Sequence, residues 1–160
     1  MSFALGGAFV IIFMAIYYKM AGVLADAAVI LNVLFLMAAL AAFEATLTLP
    51  GIAGIVLTVG MAVDANVLIA ERMREEMRLG KSVRAVVESG YERALPAILD
   101  SNITTFLSGL ILFQFGSGPV KGFAVALCIG IVTTVFTAVF CTRLVYDFLL
   151  SRRSLTTLSV

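Results

Sequence analysis

The sequence contains no histidine and no tryptophan, and only 13% of its 160 residues are charged. Without histidine, the chain lacks the usual metal ligand and the side chain that most often exchanges protons near neutral pH. Any proton chemistry must therefore rest on carboxylates, and we expect neither a metal nor another cofactor. A water-soluble domain carries about 25% charged residues. With half that share and a mean hydropathy of +1.11, much of the surface must face lipid.

Basic charge and cysteine are scarce as well. The net charge is +1, and Lys and Arg form no stripe of the kind that binds DNA or RNA, so we expect no nucleic-acid partner. The two cysteines, Cys128 and Cys141, lie in one apolar segment. Their spacing corresponds to roughly 20 Å along a helix, which is too far for a disulfide.

Long apolar segments are abundant, and they predict an all-α membrane protein with a bundle of five transmembrane helices. The predicted spans are approximately residues 3–18, 23–47, 50–69, 95–115 and 119–150. Each of the three prolines, Pro50, Pro96 and Pro119, stands at or near the start of a span, where a missing N–H costs no helical hydrogen bond. We therefore expect residues 1–150 to form the bundle and residues 151–160 a cytoplasmic tail.

The connection at residues 71–93 is the longest polar stretch between spans. Gly80 predicts the end of one helix, and Ser82 can cap the next. Apolar and small residues then recur at helical spacing: Val83, Val86, Val87, Gly90, Tyr91 and Ala94. We predict a separate amphipathic helix that lies on the inner membrane surface, either as a docking site or as a plain connector.

The basic residues predict the orientation of the bundle. If the spans alternate in direction, ten of the eleven Lys and Arg residues fall on one side and only Lys121 on the other. The positive-inside rule then places the N-terminus outside. The chain begins without a secretory signal pattern, so we expect these residues to be the C-terminal part of a longer polypeptide with an external domain.

Asp64 lies in the inner half of the third span, where a carboxylate costs about 3 kcal/mol or more. Such residues usually face a bundle interior and act in transport, although a neutral Asp that only locks helix packing remains an alternative. Lys19, Lys121 and Arg143 lie near the ends of their spans. Asp64 therefore has no cationic partner within the membrane, and we expect a partner subunit to supply the counter-charge. Small residues on the same helix predict close approach of a neighbour: Gly51, Gly54 and Gly60.

The fourth span is rich in polar side chains. Hydroxyl residues in lipid either donate to a carbonyl one turn earlier or line a wet path. Asp100 lies near the inner start of this span, so the cluster suggests a hydrated route from the inner surface toward Asp64. The predicted proton pathway comprises Asp64, Asn66, Asp100, Asn102, Thr104, Thr105 and Ser108.

Several motifs resemble the SecD family of protein translocase subunits, within the resistance-nodulation-division superfamily. The first is the run from Gly51 to Ile69 that contains Val-Asp64-Ala-Asn, followed by Glu-Arg-Met-Arg-Glu-Glu at residues 71–76. Ile-Leu-Asp-Ser-Asn-Ile-Thr-Thr at 98–105 and Phe-Gly-Ser-Gly-Pro-Val-Lys-Gly-Phe-Ala at 115–124 continue it. The resemblance extends to about Leu150.

The resemblance implies a subunit of the Sec export machinery in the bacterial inner membrane, which uses proton movement to assist preprotein translocation. The implied partners are a SecF-like subunit, the SecYEG channel and a secreted preprotein, held by an external domain that this chain lacks. Asp64 would be the SecD-side carboxylate of the proton pathway. No enzymatic activity is implied.

Three other functions fit parts of the pattern. The chain could be half of a proton-driven exporter of a small molecule or lipid, or a passive scaffold in which Asp64 matters only for stability. An intramembrane aspartyl protease needs two Asp side chains that share a proton, and Asp64 and Asp100 both lie in the inner half. However, Asp64 lacks the preceding glycine that such proteases usually carry.

Overall fold

The computed structural model describes residues 2–44 and 48–152, and every regular element within these ranges is helical. The elements are α1 (Ser2–Tyr17), α2 (Lys19–Ala42), α3 (Leu49–Arg78), α4 (Val83–Phe115), α5 (Pro119–Val135), a π-helical turn (Phe136–Cys141) and α6 (Thr142–Arg152). The turn joins α5 and α6 into one long rod. Because α2, α3, α4 and this rod are each long and apolar enough to cross a membrane, the predicted all-α membrane fold is confirmed.

The first two helices differ from their predicted limits. The helix α1 is apolar but shorter than the four candidate spans. The break after it falls at Tyr18 and Lys19, where Lys19 has a positive φ of 49°, and Gly22 lies inside α2. A Cβ at Gly22 would lie 1.9 Å from the Met14 carbonyl oxygen, so glycine is needed for α1 to fold back against α2. Residues 45–47 of the predicted second span lie outside the described residues, as does most of the predicted tail.

The helix α3 continues past residue 69 to Arg78, which carries its charged last turns beyond the predicted span. Gly80, with φ of +74°, follows the end of the helix, as the sequence predicts. Ser82 occupies the N-cap position of α4, although its side chain makes no capping hydrogen bond. The chain therefore turns sharply between two long antiparallel helices. We call this side of the bundle the Gly80 end.

The prediction of a separate surface helix is wrong. The helix α4 is continuous from Val83 to Phe115, and Pro96 lies inside it rather than at a start. Its amphipathic first turns bury their apolar face within the protein instead of against lipid. The cluster they join contains Ala65, Ile69, Met73, Val86, Val87, Tyr91, Ala94, Ile98, Ala138 and Tyr146. Because α3 extends equally far, its last turns provide the surface that covers this face.

The centre of the bundle is α3, which packs against α2, α4 and α5. Small residues allow its close approach to α5: a Cβ at Gly54 would lie 3.2 Å from the Phe123 carbonyl oxygen. Likewise, a Cβ at Gly51 would lie 3.5 Å from the Gly122 carbonyl oxygen. Gly60, by contrast, is exposed and has open space around it, so the packing expected of Gly60 is not found within this chain.

We predict that Gly130→Ala destabilises the bundle by about 1–3 kcal/mol, the usual cost of overpacking. A Cβ at Gly130 in α5 would lie 2.7 Å from Cβ of the fully buried Thr58 in α3, and a rotation of the Thr58 side chain cannot relieve that contact. Thermal unfolding in detergent micelles measures the effect. Gly60→Ala is the matched control and should change the midpoint little; equal shifts for both variants would contradict the packing described.

Candidate functional site

An open groove of about 310 Å³ runs between α3 and α4. Its α3 wall is formed by Leu57, Met61, Asp64, Ala65 and Leu68, and its α4 wall by Ile98, Ser101, Asn102 and Thr105. The groove is apolar apart from one carboxylate and three polar side chains. Three of the seven residues of the predicted proton pathway, Asp64, Asn102 and Thr105, therefore meet in one place.

Asp64 lies exposed in this groove and makes no hydrogen bond or ion pair with any residue in the described part of the chain. The expectation that it faces the interior of this bundle is wrong, because the interior face of α3 at this level is occupied by Ala62, Ala65 and Asn66, all at most 5% exposed. Gly60 and Asp64 share the opposite, outward face. An unpaired carboxylate therefore opens sideways from α3 at membrane depth.

The four Ser and Thr hydroxyl groups between residues 101 and 108 of α4 donate to carbonyl oxygens of their own helix. Ser101 Oγ donates to the Ile98 carbonyl at 3.1 Å, and Thr105 Oγ1 to the Ser101 carbonyl at 2.8 Å. Thr104 and Ser108 bond in the same way at 2.9 and 3.0 Å. Since a hydroxyl has one proton and two acceptor lone pairs, the groove hydroxyls are left to accept hydrogen bonds.

The two asparagines of the predicted pathway lie on different sides of α3. Asn102 Nδ2 donates to the Ile98 carbonyl at 2.7 Å, which leaves its buried Oδ1 without a donor among the described residues. Asn66 Nδ2 donates to the Ala62 carbonyl at 2.8 Å and lies beside a small cavity that Tyr91 and Thr142 also line. Asn66 is thus on the far side of α3 from the groove.

Besides Asn66, three more predicted pathway residues lie outside the groove. Asp100, Thr104 and Ser108 are exposed on α4 and do not line it. The structure therefore places Asp64 beside Ser101, Asn102 and Thr105 rather than beside a second carboxylate. Within residues 2–44 and 48–152, no group of three or more His, Cys, Asp or Glu side chains is placed to hold a metal ion.

A buried carboxylate, Glu76, clamps α3 to α4 at the Gly80 end. Glu76 is fully buried, and its oxygens form ion pairs with Lys81 Nζ and, at 3.0 Å, with Arg93 Nη1. The hydrogen bond from Lys81, together with the charge of Arg93, lowers the pKa of the Glu76 carboxyl below its ordinary value. Glu76 is not among the predicted site residues, because it belongs to a charged run that is typical of a solvated face.

A hydrogen bond also connects α4 to the rod formed by α5, the π-helical turn and α6. The hydroxyl oxygens of Tyr91 and Thr142 lie 2.5 Å apart and share a hydrogen bond. Thr142 Oγ1 donates its own proton to the Ala138 carbonyl in the π-helical turn. The Tyr91 hydroxyl is therefore the donor of the pair. Both Tyr91 and Thr142 are buried, so this link ties the first part of α4 to the rod formed by α5, the π-helical turn and α6.

These features define a multi-pass helical membrane protein with a carboxylate in a lateral groove. Residues 1–152 match the family described as "Protein export membrane protein SecD/SecF, C-terminal". The match covers nearly the whole chain. The chain belongs to this SecD/SecF C-terminal family.

Curated relatives point the same way. The chain is 59% identical over 155 residues to "Protein translocase subunit SecD" of Syntrophobacter fumaroxidans, covering 97% of this chain and 29% of that protein. It is 56% identical over 159 residues to the protein of the same name from Magnetococcus marinus, covering 99% and 30%. The chain thus spans less than a third of the length of these relatives.

A solved structure shares the fold. The crystal structure of SecDF, described as a translocon-associated membrane protein from Thermus thermophilus, matches with a TM-score of 0.89 and 39% sequence identity. The match covers 94% of this chain and 21% of the SecDF chain. The helix arrangement described above is therefore shared with that SecDF structure.

We predict that stability falls as the pH is lowered through the titration range of Glu76. Its carboxyl pKa is lower in the folded protein than its ordinary value of 4.5, so its contribution is complete above pH 4.5 and is lost progressively below it. Unfolding measured between pH 7 and pH 3 tests this in wild type and in Glu76→Gln.

Glu76→Gln should lower stability at pH 7 and flatten the acid dependence. The matched control is Glu75→Gln, which removes a half-exposed carboxylate. Among the described residues its one ion pair is with Arg72 on the same helix, at 2.7 Å, and exposed pairs of this kind contribute little. Identical pH profiles for Glu76→Gln and wild type would refute the clamp.

Proposed function

We propose that this chain is the membrane bundle of a SecD subunit that uses proton movement to assist preprotein export across the bacterial inner membrane. The observation that carries the proposal is Asp64, an exposed carboxylate in a largely apolar groove at membrane depth. Membership of the SecD/SecF family supports this function over other transport roles. The Gly80 end is cytoplasmic, which accords with the excess of basic residues there. The subunit is a transport component and catalyses no covalent reaction.

The groove requires a cover from another chain. An ionised carboxylate that faces lipid is costly, and the described part of this chain offers Asp64 no cation. The outer surface of α4 beside the groove is apolar, with Ile103 56% and Leu107 54% exposed. A transmembrane helix of a SecF-like subunit fits this surface, since it can bury the apolar rim and bring a cationic or hydrogen-bonding group to Asp64.

In this proposal, protonation of Asp64 causes the helix that covers the groove to move. A proton on the carboxyl cancels the charge, so the interaction with a cationic group on the partner weakens and the covering helix can repack. The neutral acid can then donate to nearby acceptors, which the groove provides as the Asn102 Oδ1 and the hydroxyl oxygens of Ser101 and Thr105. The bundle thereby has two states that differ in protonation.

The remaining pathway residues have smaller roles in this proposal. Asp100, Thr104 and Ser108 lie on the exposed face of α4 and join the path where the partner covers them. Asn66 faces the other side of α3 and serves packing rather than proton movement. The subunit acts beside the SecYEG channel, and an external domain that belongs to the rest of the polypeptide binds the preprotein.

The test is export of a secreted preprotein by cells whose only copy of the full-length subunit carries Asp64→Asn. We expect export to fall to the level of cells without the subunit, because Asn mimics the protonated acid but cannot release a proton. Protein level and co-purification with the SecF-like subunit should stay normal. Asp64→Glu, which keeps a titratable group, should retain part of the activity.

The matched control is Asp147→Asn, which removes an exposed carboxylate of α6 outside the groove and should export normally. Normal export by Asp64→Asn would contradict the proton-coupling proposal and would favour a passive scaffold role for the subunit. If Asp64→Asn instead abolished the efflux of a small molecule or a lipid and left preprotein export intact, the protein would be an exporter.

A further inference from the structure

The helix α2 carries a second carboxylate, Asp26, which is buried more deeply than Asp64. Asp26 lies roughly 10 Å along the helix axis from Lys19, the first residue of α2. It is 9% exposed, and its neighbours Ala25 and Ala28 are buried with it. Ala25 also belongs to the cluster in which α2 packs against Met14 of α1 and Ala70 of α3. Asp26 is thus enclosed by the bundle at a depth where lipid surrounds the protein.

Asp26 has no counter-charge within the described residues. The elements packed against α2 carry the following titratable groups at or near membrane depth: Tyr17 of α1, Tyr18 between α1 and α2, Asp64, Glu71, Arg72 and Arg74 of α3, Lys121 and Cys128 of α5, Cys141 of the π-helical turn, and Arg143, Tyr146 and Asp147 of α6. None of these forms a hydrogen bond or ion pair with Asp26. Tyr18 donates instead to Glu71 Oε1 at 2.9 Å.

Asp26 and Asp64 therefore have opposite surroundings. Asp64 opens into a groove that another chain can reach, so a partner can supply its counter-charge. Nine-tenths of the surface of Asp26 is already covered by its own chain, so additional protein can only bury it further. An ionised carboxylate without a partner is far more costly at this depth than a neutral one, and the neutral form is the one the structure accommodates.

We propose that Asp26 is a proton-binding site of the helix bundle, separate from the Asp64 groove. Hydronium gives its proton to a carboxylate oxygen and leaves as water, and the charge of Asp26 is cancelled. Ionisation would place an unpaired charge inside the protein, so release of this proton requires α2 to separate from its neighbours. The site stands on burial and on the lack of a partner and does not depend on whether export uses protons.

The test is infrared spectroscopy of the full-length protein in lipid vesicles at pH 7, with ¹³C-labelled aspartate to identify Asp carboxyl bands. We expect a protonated-carboxyl band in wild type that persists in the Asp64→Asn, Asp100→Asn double variant and is lost in Asp26→Asn. Asn is nearly isosteric with the neutral acid, so Asp26→Asn should keep the wild-type helix content and elution volume.

Absence of a protonated aspartate band from wild type at pH 7 would overturn the proposal, and so would a band of unchanged intensity in Asp26→Asn. If Asp26→Asn does not fold, the double variant decides: a persisting band supports the site, and a missing band refutes it. The export assay of Asp64→Asn is a separate readout, so either proposal can fail without the other.

Discussion

Close packing of α3 against its neighbours is the constraint on which the rest of the structure depends. In lipid, the hydrophobic effect does not drive helices together, so association depends on van der Waals contact between backbones that come near each other. Gly51 and Gly54 provide this contact on one side of α3, and Gly130 of α5 receives Thr58. Once that face is buried, helical geometry turns the face with Gly60 and Asp64 outward, which creates the groove.

Polar groups in the bundle follow from the same constraint. Hydroxyls and amides in the spans mostly bond to carbonyls of their own helix, and Asn32 Nδ2 donates to Thr134 Oγ1 across the α2–α5 contact at 3.1 Å. Full ion pairs are found instead near the Gly80 end, where Glu76 joins α3 to α4. Asp26 and Asp64 have no such partner within the described chain, although the first is enclosed by the bundle and the second lies in the lateral groove. They are therefore the positions at which a change of charge would alter the packing.

Local signals predicted much of the helix arrangement. Hydropathy identified the long spans, and the positive φ of Gly80 ends the third helix where a glycine in that position predicted a stop. The predicted helix start at Pro96 is wrong, because α4 continues through this residue. A proline near a polar–apolar boundary is nevertheless typical of a helix start. The amphipathic segment before Pro96 was wrongly predicted to lie on the membrane surface, because an apolar face has the same periodicity whether it contacts lipid or protein.

The sequence by itself determined that the chain is a helical membrane protein, because composition and the length of apolar runs depend on the solvent around a helix and not on its neighbours. It also identified Asp64, since a carboxylate in a span is costly wherever it points. Only the tertiary structure decided that Asp64 opens into a lateral groove, that Glu76 is buried and that Asp26 is enclosed. Burial and orientation depend on which face each helix presents to the others, and that choice is made by packing across residues far apart in the chain.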